Sequence, residues 1–181
     1  MSNDGLISNA AIRTVFPEDI SALKERAIGS PLQRDRICLH NSVEDAIQEM
    51  VIAFTSKSYV QPHRHPSQTE SFHIIEGECV VVLFDDSGAV LKSIPMSPIT
   101  GSHACLYRLS SSIWHTVLPL SPFVVLHEVV KGPFSKTSAE FAPWAPSPGD
   151  TAAVEAWCCR LRQDLLIPRP MEPSPSTSCH P

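Results

Sequence analysis

Four side chains carry the most chemical information in this chain: His63, His65, Glu70 and, fifty residues beyond His65, His115. Three imidazoles and one carboxylate are a common ligand set for a divalent transition metal. The spacing suits strand geometry. Residues i and i+2 of a strand point to one face, so His63 and His65 can look at the same ion while Arg64 looks away. Glu70 stands five residues past His65, an odd offset, so a turn or bulge at residues 66–68 must reset the phase. Residues 71–76 can then run as a strand into a turn at Gly77-Glu78. His115 sits in the short β segment Trp114-His115-Thr116. One such histidine would be read as an ordinary polar loop residue. Here the i,i+2 pair, the carboxylate and the later histidine in a β context coincide, and together they favour a metal site. An ion held by three His and one Glu keeps open positions for water, a hydroxy-carbonyl compound or dioxygen.

A second carboxylate stands out at Glu128. In the strand-like run 123–130, Val124, Leu126, Glu128 and Val130 share a face, and a carboxylate among apolar neighbours needs a partner. It either orients a ligand histidine, acts as a base, or pairs with a basic residue such as Arg108. His73 lies three residues past Glu70 and by alternation faces the other way. Arg64 reads as a structural ion-pair residue and Phe72 as core. Tyr59 and Trp114, near the histidines, can line a mouth to the site.

The elements that must position these groups read as β. Residues 36–40, 71–75, 79–84, 90–95, 104–109, 115–118 and 123–130 are short apolar or alternating runs, and Asp85-Asp86-Ser87-Gly88 is a hairpin turn. The stretch 42–46 fits a helix start as well as a loop, but the alternation of Met50, Ile52 and Phe54 favours a strand from about Gln48. A short helix is expected over 17–28, opened by Pro17-Glu18-Asp19, with Ile20, Leu23, Ala27 and Ile28 on one face. Another is expected over 151–166, capped by Asp150, with Val154, Trp157, Cys158, Leu161 and Leu165 on one stripe. Many short strands at this spacing point to a sandwich or barrel, and self-similar repeats are absent.

Composition bounds the answer. The chain has 181 residues, enough for one domain with small additions, and 43% apolar residues can fill a real core. A net charge of −5 with no basic run disfavours nucleic-acid binding. No apolar stretch approaches the roughly 20 residues of a membrane span. The start Met1-Ser2-Asn3-Asp4-Gly5 lacks the basic and apolar regions of a secretory signal. The six cysteines, at 38, 79, 105, 158, 159 and 179, show no paired metal spacing and read as reduced thiols, which places the protein in the cytoplasm. Residues 170–181 are Pro/Ser-rich and expected to be disordered.

The run from His63 through Glu70 to Gly77 resembles the first motif of the cupin superfamily: His-x-His, a few residues, Glu, six residues, Gly. The second cupin motif supplies a last histidine, here His115, although Ser110 and Ser112 replace its usual turn residues and Pro119 stands where an Asn is usual. Lys57 occupies the position of a glycine before the first motif. The segments 58–66, 70–77, 114–116, 128–134 and 141–146, with 36–40 upstream, are similar to the WbuC-type cupin-fold metalloproteins. These are small bacterial proteins, some encoded near O-antigen genes. The similarity covers roughly residues 34–147.

The resemblance implies a mainly-β fold, a single cupin jelly-roll β-barrel with short N- and C-terminal helices. Residues 1–33 would be an extension with a helix, 34–135 the barrel, and 136–181 a second extension. It implies one divalent metal (Zn, Fe, Mn or Ni) on His63, His65, Glu70 and His115, with Glu128 and His73 as candidate catalytic residues. It also implies a homodimer. Two enzyme classes follow: isomerase or epimerase chemistry on a sugar or nucleotide-sugar of surface-polysaccharide metabolism, or Fe(II)-dependent oxygenation of a small molecule. A non-catalytic, metal-supported sugar-binding or sensor protein is the third. Either way the expected partner is a small molecule, with neither nucleic acid nor membrane.

Overall fold

The computed structural model describes residues 12–135 and 138–167. The expectations for the first five residues and for the tail at 170–181 lie outside the described residues. The chain opens with helix α1 (Pro17–Gly29), whose first turn is tied by the Asp19 carboxylate accepting from the Phe16 N–H at 2.8 Å. Ten strands follow: β1 (Arg34–Cys38), β2 (Ile47–Thr55), β3 (His63–Arg64), β4 (Glu70–Glu76), β5 (Cys79–Phe84), β6 (Val90–Met96), β7 (Leu106–Leu109), β8 (Trp114–Pro119), β9 (Phe123–Lys131) and β10 (Glu140–Phe141). Helix α2 (Thr151–Asp164) comes last, with the Asp150 side chain accepting from the Ala153 N–H at 3.0 Å as its cap.

The strands form two antiparallel sheets, ordered β1-β2-β9-β4-β7 and β10-β3-β8-β5-β6. Stripped of the edge strands β1 and β10, these are the two four-stranded sheets of a jelly roll, with the chain passing repeatedly from one sheet to the other. The fold is thus mainly β with two short helices. Its sheets are stacked and open rather than closed into one barrel, because β1, β7, β10 and β6 each end a separate hydrogen-bond ladder. The segment 42–46, ambiguous in sequence, is a turn. The Gln48 side-chain amide donates to the carbonyls of Ser42 and Asp45 at 3.1 and 2.9 Å and holds that turn against the start of β2. The hairpin between β5 and β6 is built on Asp85, whose Oδ1 accepts from the Ser87 and Ala89 N–H groups at 2.8 and 2.9 Å.

Strand alternation produces three apolar layers. Phe54, Phe72, Ile74 and Leu126 of the first sheet meet Val81 and Val117 of the second in the space between the sheets. The outer face of the first sheet offers Val51, Ala53 and Val125 to Leu23 and Ala27 of α1. The outer face of the second offers Val80, Val82, Trp114 and Leu118 to Leu161 of α2. Each helix therefore fulfils its amphipathic pattern on the back of a sheet, and the polar groups described next share the interior face with the apolar layer there. No helix among the described residues is long and apolar enough to cross a membrane.

Candidate metal centre

The histidines come from the second sheet and the carboxylate from the first. On β3 and β8, His63 and His115 are direct cross-strand partners, and their ring centroids lie 4.4 Å apart. His65, just beyond β3, turns its ring to the same side, 5.1 Å from His63 and 5.7 Å from His115. Glu70 opens β4 after the turn at 66–69, with Val130 and Leu109 as its neighbours across the sheet. The expected phase reset is therefore present. Glu70 and His115 are 1% and 0% exposed. The four potential ligand atoms all lie within 4.8 Å of one another. Ligands on opposite sides of a zinc-sized ion stand about 4 Å apart and adjacent ones about 3 Å, so the cluster has the right span for one ion.

The backbone orients all three rings. Nδ1 of His63 faces the Gln61 carbonyl at 2.9 Å, Nδ1 of His65 the Ser138 carbonyl at 3.0 Å, and Nδ1 of His115 the Ile113 carbonyl at 2.9 Å. A carbonyl only accepts, so each Nδ1 carries a hydrogen, and in the neutral ring each Nε2 presents a lone pair inward. Metal-binding histidines are prepared in this way. The Glu70 oxygens sit 2.9 Å from His115 Nε2 and 3.2 Å from His65 Nε2. Neither approach has hydrogen-bond geometry, and both Glu70 oxygens and His115 Nε2 are buried without a hydrogen-bond partner. Orphaned acceptors of this kind, aimed at one point, are what a cation would satisfy.

In the protein alone, His63 and Glu70 rest in their ligand forms, whereas the Glu70 charge favours a proton on His65 that a bound metal would displace. Burial, reinforced by His115, lowers the His63 pKa to about 3, which leaves the ring neutral, the ligand form. Burial alone would raise Glu70, but His115 and His65 outweigh it and hold the carboxyl at about 2, ionised. For His65, burial disfavours the charged ring, while Glu70 and the Ser138 carbonyl prevail and raise its pKa.

The other sequence candidates divide by face. Glu128 pairs across β9 and β4 with Phe72, so it stands on the interior face one step from the Glu70 row. It makes no side-chain hydrogen bond or ion pair with another described residue. Burial first, and then the Glu70 charge, push its carboxyl up to about 7. The proposed pairing with Arg108 does not occur, because Arg108 alternates with the buried Tyr107 and Leu109 and is exposed on the outer face. His73 is also on the outer face, exposed and opposite His127; alternation from Glu70 keeps it out of the cluster. Arg64 pairs with Glu140 at 2.7 Å and Asp86 at 3.3 Å and covers the Trp114 ring at 4.3 Å.

Tyr59 and Trp114 do not line a mouth. The Tyr59 hydroxyl donates to the Pro146 carbonyl at 2.9 Å and its ring meets Trp157 edge-on, while Trp114 is buried in the layer beneath α2. Sequence reading passed over Tyr107, Arg34 and Arg36. Tyr107 carries a buried hydroxyl without a hydrogen-bond partner. Arg34 and Arg36 pair in register with Phe54 and Ile52 and so stand on the interior face. The i,i+2 spacing of the arginines was the available signal.

Among families of related sequences, one described as "Domain of unknown function (DUF6016)" matches residues 16–96, under half of the chain. No curated protein matches. Solved structures with a similar fold include CapF in complex with an inhibitor (14% identity, TM-score 0.48, covering 60% of this chain and 30% of that one). Others are the oxalate decarboxylase of Lactobacillus farciminis in a formate complex (15%, 0.42, 54% and 27%) and procruciferin, an 11S globulin of Brassica napus (11%, 0.43, 53% and 23%). The chain thus spans less than a third of the length of each of these three structures.

Proposed function

We propose that this chain is a cupin-type metalloprotein that holds one divalent ion on His63, His65, Glu70 and His115 and moves a proton on a small hydroxy-carbonyl substrate, an isomerase or epimerase acting on a sugar-derived compound. The observation that carries this reading is the convergence of three inward Nε2 lone pairs and a buried carboxylate, with the unpartnered Glu128 on the same interior face. A bound divalent ion would polarise a carbonyl placed at its open positions. The protein's own contribution is Glu128, a carboxyl whose pKa of about 7 suits a base that takes and returns a proton near neutrality. Phe72, directly across the ladder from Glu128, and Leu126, two residues away on the same face, flank the carboxyl, which is half-buried and so reachable by a small substrate.

The test is deuterium exchange. Protein reconstituted with zinc or manganese is incubated anaerobically in D2O with a panel of sugar phosphates and nucleotide-sugars. Deuterium is expected at the carbon beside the carbonyl of a member of that panel, and Glu128→Gln is expected to abolish the exchange while retaining the metal. Exchange that persists in Glu128→Gln removes the assigned base. Absence of any exchange, together with oxygen consumption by the iron-loaded protein, replaces the reading with oxygenase chemistry.

A further inference from the structure

The interior face of the first sheet carries charges that its neighbours do not neutralise. On β1, Arg34 and Arg36 alternate with the outward Asp35, which pairs with Arg26 of α1 at 2.7 Å. In register, Arg34 lines up with Phe54 and then Val124, and Arg36 with Ile52 and then Leu126; all four partners belong to the layer between the sheets or pack against it. Neither arginine makes a side-chain hydrogen bond or ion pair with another described residue. Arg34 is half-buried and Arg36 exposed, so they stand at the open rim of the sandwich. Glu128 is two strands away and within electrostatic reach of both. With strands about 4.8 Å apart and about 3.4 Å per residue, the Cα atoms of Arg36 and Glu128 are about 12 Å apart, and those of Glu128 and Glu70 about 8 Å. From the other edge of the sheet, the ring of Tyr107 stacks on Phe72 at 5.3 Å and its hydroxyl is buried and unpartnered within reach of the Glu70 charge.

Unpaired charge at a half-buried position is costly unless something completes it. Arg34, Arg36 and Glu128 share a face and sense one another without forming an ion pair, so the rim offers two guanidinium groups that no carboxylate among the described residues neutralises. We infer that Arg34 and Arg36 form an oxyanion-binding subsite, so that the substrate of the metal centre carries a carboxylate or phosphate group at the end away from the ion. The guanidinium fork matches such a group in shape and charge. Glu128 and the Tyr107 hydroxyl then face the middle of the bound molecule. This inference rests on the functional reading above for the identity of the site, but the arginine subsite has its own test.

That test compares three hydroxy-carbonyl probes of similar size by calorimetry: neutral dihydroxyacetone, hydroxypyruvate and dihydroxyacetone phosphate. Each is titrated into zinc-loaded and into chelator-treated protein, with metal content measured in parallel. In the loaded protein one or both anionic probes are expected to bind at least about tenfold tighter than the neutral one, and the stronger of them identifies carboxylate or phosphate. Arg36→Gln, at an exposed edge position that the fold tolerates, and the double variant with Arg34→Gln are expected to erase that preference while metal content stays unchanged. Equal binding of all three probes, or an anion preference that survives the double variant, overturns the subsite. A wild type that takes up no metal yet keeps an arginine-dependent anion preference leaves the subsite standing and removes the metal-centred reading instead.

Discussion

At the scale of single residues, the histidines and Glu128 make separable predictions. His63, His65 and His115 each receive a backbone carbonyl at Nδ1, so their orientation does not depend on one another. Replacing any one of them with Ala removes one ligand and leaves the others aimed. Each single variant is expected to fold and to lose most of its bound metal, with affinity falling at least about 10–100-fold, the effect usual even for residues that only support ligands. Elemental analysis after gel filtration checks this, and undiminished metal in His63→Ala and His65→Ala would remove the site. Glu128 makes a pH prediction. Its folded pKa, about 7, lies above the ordinary value of 4.5. The folded state therefore holds the proton more tightly than the unfolded chain does. The stability this contributes is fully present below about pH 4.5 and is lost as pH rises through about 7. In metal-free protein, Glu128→Gln should match the wild type's pH trend poorly: its Tm advantage over wild type should grow from pH 5 to pH 8. A constant difference across that range would mean that Glu128 ionises freely. A bound cation nearby favours the carboxylate and should shrink the trend.

At the scale of elements, the turn between β4 and β5 shows how tightly the sheet is drawn. Gly77 has φ +77°, and a Cβ there would come within 2.0 Å of the Phe123 carbonyl oxygen at the start of β9. Gly77→Ala meets both a disfavoured backbone conformation, costing about 1–3 kcal/mol, and a clash with backbone that cannot swing aside. Its Tm should fall by about 2–4 °C for each kcal/mol in a chain of this size, and a neutral result in a thermal melt would contradict the turn geometry. The same element explains what was legible beforehand. The His63/His65 pair, Glu70 and Gly77 all lie within one strand–turn–strand stretch, where local spacing and period-2 alternation are sufficient. Alternation also separated Glu128 from its neighbours and His73 from Glu70. What alternation along one strand does not reveal is which strands lie side by side. Arg108 was one of the partners open to Glu128, yet Arg108 faces outward on β7 while the arginines on Glu128's face are on β1, about ninety residues upstream. Tyr59 and Trp114 were misplaced for a similar reason: proximity in sequence to the histidines says nothing about the layer beneath α2, which forms only when the C-terminal helix packs back on the second sheet.

At the scale of the whole molecule, the ligand set joins two sheets whose facing sides pack through an apolar layer. Three ligands stand on the second sheet and Glu70 on the first, so an ion at their centre is a cross-link that exists only in the folded state. The unfolded chain keeps His63, His65 and Glu70 close in sequence but loses His115, and it binds the ion far more weakly. Free metal in large excess over its dissociation constant therefore stabilises the fold, by about 4 kcal/mol at a thousandfold excess. With about 2–4 °C per kcal/mol for this chain length, zinc added to chelator-treated protein should raise Tm by roughly 8–16 °C. The size of that metal-dependent shift, measured within each variant, is the informative quantity, because His115→Ala also opens a hole at a fully buried position and lowers the starting Tm for unrelated reasons. In His115→Ala and in Glu70→Gln the shift should collapse to a few degrees, since the first leaves only ligands that the unfolded chain also keeps close in sequence and the second weakens the one ligand on the first sheet. A shift that survives intact in both variants would place the stabilising ion elsewhere, and the four-residue cluster would then not be what ties the two sheets together.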